Sequence, residues 1–255
     1  MIDTHTHLYF PDFGEELPSI MDNCKKIGVD HLILPNVDEQ SIEPMKLLHS
    51  LYPEVTSMAM GLHPSEVDEN WKNVFKLMEK ELSSNKYKGI GEVGIDLYWD
   101  QSKLDLQKEA FEFQLNLAVE THLPVIIHSR SAFEETMNII EKVQPDVPLI
   151  FHSFTGGVDD IKRIREGANP YFGINGVITF KNAQPLRDAL PLMGTDKILL
   201  ETDSPFLSPV PHRGKRNESS YLPYIRDKIA EVLNLDPQKI EKITDQNART
   251  VFSIR

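Results

Sequence analysis

The chain of 255 residues lacks features that define several classes of protein. Its one cysteine, Cys24, excludes an intramolecular disulfide and a zinc site built from cysteines, and it fits a reducing compartment. We therefore expect a cytoplasmic protein. The N-terminus has no basic segment followed by an apolar run, so we expect no signal peptide. No apolar stretch approaches the roughly 20 residues that cross a bilayer, so we expect no membrane partner.

Positive charge is also scarce. The 27 Lys and Arg residues stand against 39 Asp and Glu residues, which gives a net charge of −12. This balance argues against broad wrapping of duplex nucleic acid, because such binding relies on many basic contacts. It leaves room for an enzyme that binds phosphate locally, since bound divalent cations would reverse the sign of the field at a small site.

The chain alternates short apolar runs with longer amphipathic stretches. The strand-like runs are 2–7, 31–37, 56–63, 89–95, 123–129, 148–154, 170–176 and 197–203. The helix-like stretches are 15–27, 41–51, 71–84, 104–121, 131–143, 157–166, 183–192, about 220–233 and 237–251. Eight strand-helix units predict a parallel sheet, most naturally an α/β protein with a closed (β/α)8 TIM barrel as one domain over 1–255. A doubly wound open sheet is the alternative, which the lack of a Gly-x-Gly-x-x-Gly motif disfavours.

Polar residues repeatedly stand in or at the end of these apolar runs. They are His5, His7, His63, Glu92, His128, His152 and Asp203. Core packing does not explain this pattern. In a barrel the carboxyl ends of all strands meet at one rim, where active sites of this fold lie. We therefore expect these side chains to converge on one cleft.

Four histidines and two carboxylates on strand ends are the inventory of a dinuclear metal site. The predicted ligands are His5, His7, Glu92, His128, His152 and Asp203. Imidazole and carboxylate suit Zn, Mn, Ni or Fe, and carboxylate-rich sites also suit Mg. We expect the two histidines of the first run to bind one ion with Asp203, and those of the fifth and sixth runs to bind a second. Glu92 then bridges the two divalent ions with its two oxygens.

Several segments together resemble one known family. They are DTHTHL, GLHP, GIGEVGID, PVIIHSR, FHSFTG, ITFKNA, LLETDSPFLSP and RGKRNE, and they extend from the first residues to about residue 251. The sequence resembles the TatD family of metal-dependent deoxyribonucleases. The resemblance implies a (β/α)8 barrel with two divalent metals, and it carries the family's ligands onto the six residues above. It also implies hydrolysis of DNA phosphodiesters, often as a 3′–5′ exonuclease on single strands, so single-stranded DNA is the expected partner and no obligate protein partner is evident.

Further residues receive roles from their positions. Asp203 is expected to accept a proton from the attacking water, with Glu92 as the second catalytic carboxylate. Glu201 shares the face of Asp203 by the two-residue period of a strand, and we expect it to orient a ligand histidine. A salt bridge below the metal layer is the other interpretation of Glu201.

The predicted phosphate contacts lie mainly in one loop. The loop 204–220 holds a dense basic cluster, Arg213, Lys215 and Arg216, and loops at this place in a barrel often bind phosphate. A solvated surface loop is the alternative. Arg130 and His63 are further candidates because each lies beside a predicted strand end.

Two other functions remain open. The same metal site can hydrolyse an ester or amide, for example in a D-aminoacyl-tRNA deacylase, an activity known among TatD-like proteins. A non-catalytic metal-binding or scaffold protein is the other possibility, although such a protein is expected to lack Asp203 or Glu92.

Overall fold

The computed structural model describes residues 1–84 and 86–254. Eight parallel strands follow one another around a single sheet in chain order. They are β1 (Ile2–Asp3), β2 (His31–Pro35), β3 (Thr56–Met60), β4 (Tyr87–Asp96), β5 (Val125–Arg130), β6 (Leu149–Phe151), β7 (Pro170–Ile174) and β8 (Ile198–Leu200). The predicted barrel is confirmed, and the open doubly wound sheet is excluded.

The sheet curls into a nearly closed barrel whose seam lies just beyond β1 and β8. There the backbone N–H of Thr4 donates to Leu200 O at 2.9 Å, and Thr6 forms a parallel bridge with Ser204. The strand-like runs expected over 2–7 and 197–203 are therefore longer than the strands observed. Beyond Asp3 the backbone forms hydrogen bonds with the segments on both sides. The Thr4 N–H bonds to β8, whereas the Thr6 N–H donates to Ile33 O of β2 at 3.1 Å.

Amphipathic helices surround the barrel and supply the crossovers that parallel strands require. They are α1 (Leu17–Lys26), α2 (Ile42–Leu51), α3 (Trp71–Leu82), α4 (Leu104–Thr121), α5 (Phe133–Val143), α6 (Val158–Gly167), α7 (Gln184–Met193), α8 (Leu222–Leu233) and α9 (Pro237–Phe252). Each buries an apolar face; α3, for example, buries Trp71, Phe75 and Met78. Within the two described ranges, none of these helices is long and apolar enough to span a membrane.

The interior of the barrel is filled by apolar side chains, most of them branched, so the barrel is a packed core. They are Ile2, Ile33, Ala59, Ile126, Ile150 and Leu199. The end at which the strands begin is closed by α9, through Val251 and Phe252. For the described residues, the end of the barrel left free to hold a site is therefore the one at which the strands finish.

Candidate metal centre

The strand period sets the inward direction of the site residues. Alternate residues of a strand face the same side. His128 stands two residues after the buried Ile126, and His152 stands two after the buried Ile150. Leu199 is followed in the same register by Glu201, which is completely buried. The apolar layer inside the barrel is thus continued, toward the carboxyl ends of the strands, by a polar layer.

Glu92 on β4 lies at the centre of this layer. Its Oε2 atom is 3.1 Å from Nε2 of His5 and 3.6 Å from Nε2 of His7. Its Oε1 atom is 2.8 Å from Nδ1 of His128 and 3.6 Å from Nε2 of His152. One oxygen therefore faces the histidines of the first run, and the other faces His128 of β5 and His152, which directly follows β6.

Asp203 approaches the same cluster from the loop after β8. Its Oδ1 atom is 3.9 Å from Nε2 of His5 and 3.8 Å from Nε2 of both His7 and His152. Its backbone φ of 58° is left-handed, a conformation that Asp tolerates better than most residues. The structure thus brings together all six side chains that the sequence nominated as ligands.

The hydrogen bonds around His7 fix which nitrogen faces the cluster. The Tyr9 hydroxyl donates its single proton to the Pro35 carbonyl, because a carbonyl can only accept. Nδ1 of His7, 2.9 Å from the Tyr9 oxygen, must then donate to it. Burial, with nearby His5, holds the pKa of His7 well below its usual range, so the ring is neutral. Its Nε2 therefore presents a lone pair to the carboxylates, as a metal ligand must.

His63 has the opposite arrangement. Its Nδ1 accepts the backbone N–H of Ser65 at 3.1 Å, so in the neutral ring Nε2 carries the proton. That Nε2 is 3.6 Å from Oε1 of Glu92 and 3.2 Å from Nδ1 of His128. His63 thus lies within the cluster. By distance alone, His63, Glu92 and His128 form a set that could hold an ion. Because Nε2 carries the proton in this tautomer, we expect His63 to act as a hydrogen-bond donor and not as a metal ligand.

Glu201 supports the layer from below. Its Oε1 atom accepts the backbone N–H of Ser153 at 2.6 Å and is 3.0 Å from Nδ1 of His152. The N–H of His152 is not aligned with that oxygen, and Nδ1 remains without a hydrogen bond among the described residues. Glu201 touches a histidine of the cluster, as the sequence predicted. Lys and Arg are absent from its described ion pairs, so the alternative of a salt bridge to a basic residue is not supported.

Burial and mutual repulsion shape the acidity of the carboxyl groups. Burial raises the pKa of Asp203 to about 7, and Glu92 and Glu201 add to the shift. Burial also raises the pKa of Glu201 to about 7. Burial opposes the ionisation of Glu92 too, but the histidines, His5 first, outweigh it and hold its pKa well below its usual range. The cluster therefore concentrates buried acids that a cation would stabilise in the ionised form.

His128 is held between two acids. Its Nε2 is 3.0 Å from Oδ2 of Asp96, the last residue of β4, while its Nδ1 faces Glu92. Burial lowers the pKa of His128, but the hydrogen bonds that its ring donates to Asp96 and Glu92 outweigh burial and raise the pKa to about 9. Asp96 is thus part of the site, a contact that the sequence analysis did not identify.

The donor set fits divalent ions. Imidazole nitrogens and carboxylate oxygens are the ligands of Zn and other first-row metals. Three compact groups bring ligand atoms within 4.8 Å of one another: His5 with His7 and Glu92, His63 with Glu92 and His128, and His5 with His152 and Glu201. Nδ1 of His5 and Oε2 of Glu201 are buried without a hydrogen-bond partner in the described part of the chain. Such an arrangement is costly unless a cation accompanies it.

The cluster lies at the base of an open cavity of about 640 Å³. Phe10 and Phe206 line one part of the wall, and Trp99 and Arg130 line another. The cavity thus connects the buried cluster to solvent.

The predicted basic loop divides into two parts. The Arg213 guanidinium lies 3.7 Å from the centroid of the Phe180 ring, and Arg213 and Lys215 are both exposed. Arg216 instead pairs with Glu16, with 2.8 Å between Nη2 and Oε2, and lies over the Phe13 ring. The structure therefore gives Arg216 a partner that the sequence reading did not anticipate, and its guanidinium is engaged away from the cavity.

Comparison with known proteins places the whole chain in one group. The profile of the family described as "TatD related DNase" matches residues 2–253. A metal-dependent hydrolase of Bacillus subtilis is 33% identical over 255 residues, covering 100% of this chain and 99% of the relative. A protein of Citrobacter rodentium named "3'-5' ssDNA/RNA exonuclease TatD" is 31% identical over 261 residues. The aligned region covers 100% of this chain and 98% of the Citrobacter protein.

The fold is matched equally well by a solved structure. The crystal structure of a TatD homologue from Escherichia coli superposes with a TM-score of 0.91, covering 100% of this chain and 98% of the homologue. The two sequences are 24% identical, so this likeness concerns the fold.

Proposed function

The chain belongs to the TatD family of metal-dependent hydrolases, and from this premise we propose that it cleaves phosphodiester bonds of nucleic acid. The proposed substrate is single-stranded DNA, degraded as a 3′–5′ exonuclease with two divalent ions. The observation that carries the proposal is the position of Glu92. Its two oxygens face two separate groups of histidines, which is the arrangement that two ions sharing one carboxylate require.

The named relative supports the choice of substrate. The Citrobacter rodentium protein carries its 3′–5′ exonuclease name at 31% identity over nearly the full length of both chains. The open cavity suits a flexible strand end, because it joins the buried cluster to solvent.

We assign the ions to the six residues nominated by the sequence. His5, His7 and Asp203 would hold one, His128 and His152 would hold the other, and Glu92 would contact both. Mg, Mn, Zn, Ni and Fe all suit this donor set. Divalent ions at such a site supply Lewis acidity that ionises water and neutralises charge on phosphate.

Side chains of the protein then accept the proton, position a ligand and bind the substrate. Asp203 holds its carboxylate beside three histidine Nε2 atoms and is placed to take a proton from the attacking water. Glu201 keeps His152 in position through contact with Nδ1. Nε2–H of His63 donates to a phosphate oxygen, as its tautomer allows.

Basic residues outside the cluster bind the strand. Arg130 at the mouth of the cavity, and Arg213 with Lys215 in the loop after β8, are proposed as phosphate contacts. Arg216 is left out of this set because Glu16 already satisfies it. The proposed compartment is the cytoplasm, where the buried thiol of Cys24 stays reduced.

The direct test is digestion of end-labelled single-stranded DNA by protein stripped of metal with a chelator. We expect no digestion by stripped protein and recovery when Mg, Mn or Zn is added back, with products that shorten from the 3′ end. D-aminoacyl-tRNA is offered in parallel. Undiminished cleavage by the stripped protein, or turnover of the aminoacyl ester with none of DNA, would overturn the proposal.

A further inference from the structure

Large aromatic rings stand exposed at the mouth of the cavity. Trp99 is 81% exposed and Tyr98 is 53% exposed, and both lie in the loop after β4, beyond Leu97. Aromatic residues at a barrel rim usually pack beneath loops, where their apolar area is removed from water. These two do not, so both rings stay accessible to solvent, and the more exposed Trp99 ring is available to a ligand.

The segment that carries these rings is tied to the metal centre. The Asp96 carboxylate accepts the backbone N–H of Tyr98 at 2.9 Å on Oδ1, while its Oδ2 lies 3.0 Å from Nε2 of His128. The rings of Tyr98 and Trp99 meet edge to face, with centroids 4.7 Å apart and planes at 90°. The rings are therefore held at a defined place relative to the cluster.

Arg130 completes the arrangement from the end of β5. Its guanidinium lies 3.8 Å from the ring centroid of Tyr98 and 5.8 Å from that of Trp99. Within residues 1–84 and 86–254, its side chain forms no salt bridge or hydrogen bond, and Asp96, its neighbour across β4 and β5, interacts with it electrostatically at longer range. Tyr98 thus orients the guanidinium and leaves its N–H groups available for a phosphate.

Aromatic rings also line the other part of the cavity wall. The Phe10 ring stacks on His7, with centroids 4.8 Å apart and planes at 15°, and Phe206 is 52% exposed. A planar group entering the cavity therefore meets ring faces on both walls, and a charged group meets Arg130.

We propose that Tyr98, Trp99 and Arg130 form a stacking platform for an unpaired nucleobase, with Arg130 contacting the adjoining phosphate. The proposal rests on the proposed function, because the base belongs to a strand whose phosphodiester bond lies at the metal centre. Stacking on an aromatic side chain needs a free base face, which a duplex hides. The platform therefore selects unpaired strand ends over duplex, and it accepts every base because each has such a face.

Intrinsic fluorescence tests the contact without turnover. The chain has two tryptophans, Trp71 and Trp99, and Trp71 is buried. In a Trp71→Phe protein that also carries Asp203→Asn, emission reports Trp99 alone. We expect a short oligothymidylate, with the ion that supports cleavage, to quench Trp99, and an abasic oligomer of the same length to quench it far less. Binding of both oligomers, followed by anisotropy of an end label, with equal or no quenching would overturn the platform.

Kinetics give a second test that does not depend on the folding of Trp71→Phe. We expect Trp99→Ala to raise KM for oligothymidylate about 5- to 150-fold, the range for loss of one stacked base, and to affect the abasic oligomer much less. Trp99→Phe should recover most of the loss. Leu47→Ala, at an exposed apolar residue of α2, should leave KM unchanged for both oligomers.

The outcomes separate the two proposals. If parent enzyme supplied with metal cleaves neither oligomer, the proposed function fails. If it cleaves both and Trp99→Ala affects them equally or not at all, the platform is wrong.

Discussion

A Cβ atom placed on Gly173 would lie 2.1 Å from Oε2 of Glu201. The glycine of β7 thus leaves the space that the carboxylate of the neighbouring chain segment occupies. Glu201 in turn accepts the Ser153 N–H at 2.6 Å and touches Nδ1 of His152. The absence of a side chain at one position therefore sets where a histidine of the metal centre is held.

We expect Gly173→Ala to displace Glu201 and to lower kcat/KM on single-stranded DNA about 10- to 100-fold, the usual cost of losing the partner that orients a ligand. Metal affinity, measured by titration of the stripped protein, should fall with it. Overpacking is also expected to lower the free energy of unfolding by about 1–3 kcal/mol.

A double-mutant cycle identifies the cause. In a Glu201→Ala background the added methyl no longer meets a carboxylate, so Gly173→Ala should cost little further activity. Gly167→Ala serves as the control, because its Cβ would have its nearest contact at 3.9 Å. Additive losses in the cycle would show that Gly173 acts by some other route.

Asp203→Asn is expected to remove activity while leaving the fold intact. Asp203 has a φ of 58°, and Asn adopts this left-handed conformation as readily as Asp, whereas Ala does not. Loss of the ionisable carboxyl should lower kcat about 10²- to 10⁴-fold, the range for loss of a positioned proton acceptor. Circular dichroism and the melting temperature of the stripped protein should remain close to those of the parent. The control is Asp159→Asn on α6, whose side chain is 95% exposed. Activity of Asp203→Asn within tenfold of the parent would contradict this role.

Much of the site could be predicted from the sequence because strand geometry is local. An apolar run that ends in His or Asp gives both the strand and the rim position, and His128, His152 and Asp203 all lie where that argument places them. The pairing of His5 with His7 also survives, although β1 ends at Asp3, because extended backbone keeps the two-residue period.

The remaining contacts depend on residues distant in the chain. Arg216 meets Glu16 across a separation of 200 residues, and no local pattern reports such a pair. The fixed tautomer of His63 needs the turn that brings the Ser65 N–H onto Nδ1. The space at Gly173 is visible only once Glu201 is placed beside it.

His31 should make the protein sensitive to acid. It is buried on β2, with Nε2 2.9 Å from Oγ of Ser57, and burial lowers its pKa from 6.5 to about 4. As the pH falls below 6.5, His31 binds a proton in the unfolded chain, but in the folded protein it stays neutral until about pH 4. The free energy of unfolding therefore decreases across this window. Between about pH 7.5 and about pH 5 the expected loss from this one group is about 2 kcal/mol.

Urea denaturation in chelator at the two pH values measures this loss. His31→Gln can keep the hydrogen bond to Ser57 and does not titrate, so its stability should fall by about 2 kcal/mol less than that of the parent. The comparison cancels the contribution of the metal-centre histidines, which both proteins share. Equal acid sensitivity in the two proteins would show that His31 does not carry it.

Arg213→Ala should weaken binding of a strand more than binding of a single phosphodiester. The Arg213 guanidinium is held over the Phe180 ring on an exposed loop and does not line the cavity, so we expect only a substrate longer than one linkage to reach it. We expect KM for single-stranded DNA to rise about 3- to 10-fold, with kcat nearly unchanged, because a charge-assisted contact to a flexible strand acts alike in ground and transition states. KM for a small phosphodiester should change less than twofold.

Arg216→Ala is the matched control from the same loop, since Glu16 already engages that guanidinium. Equal rises in KM on both substrates for Arg213→Ala, or an equal effect of Arg216→Ala on DNA, would contradict a strand-binding role for Arg213.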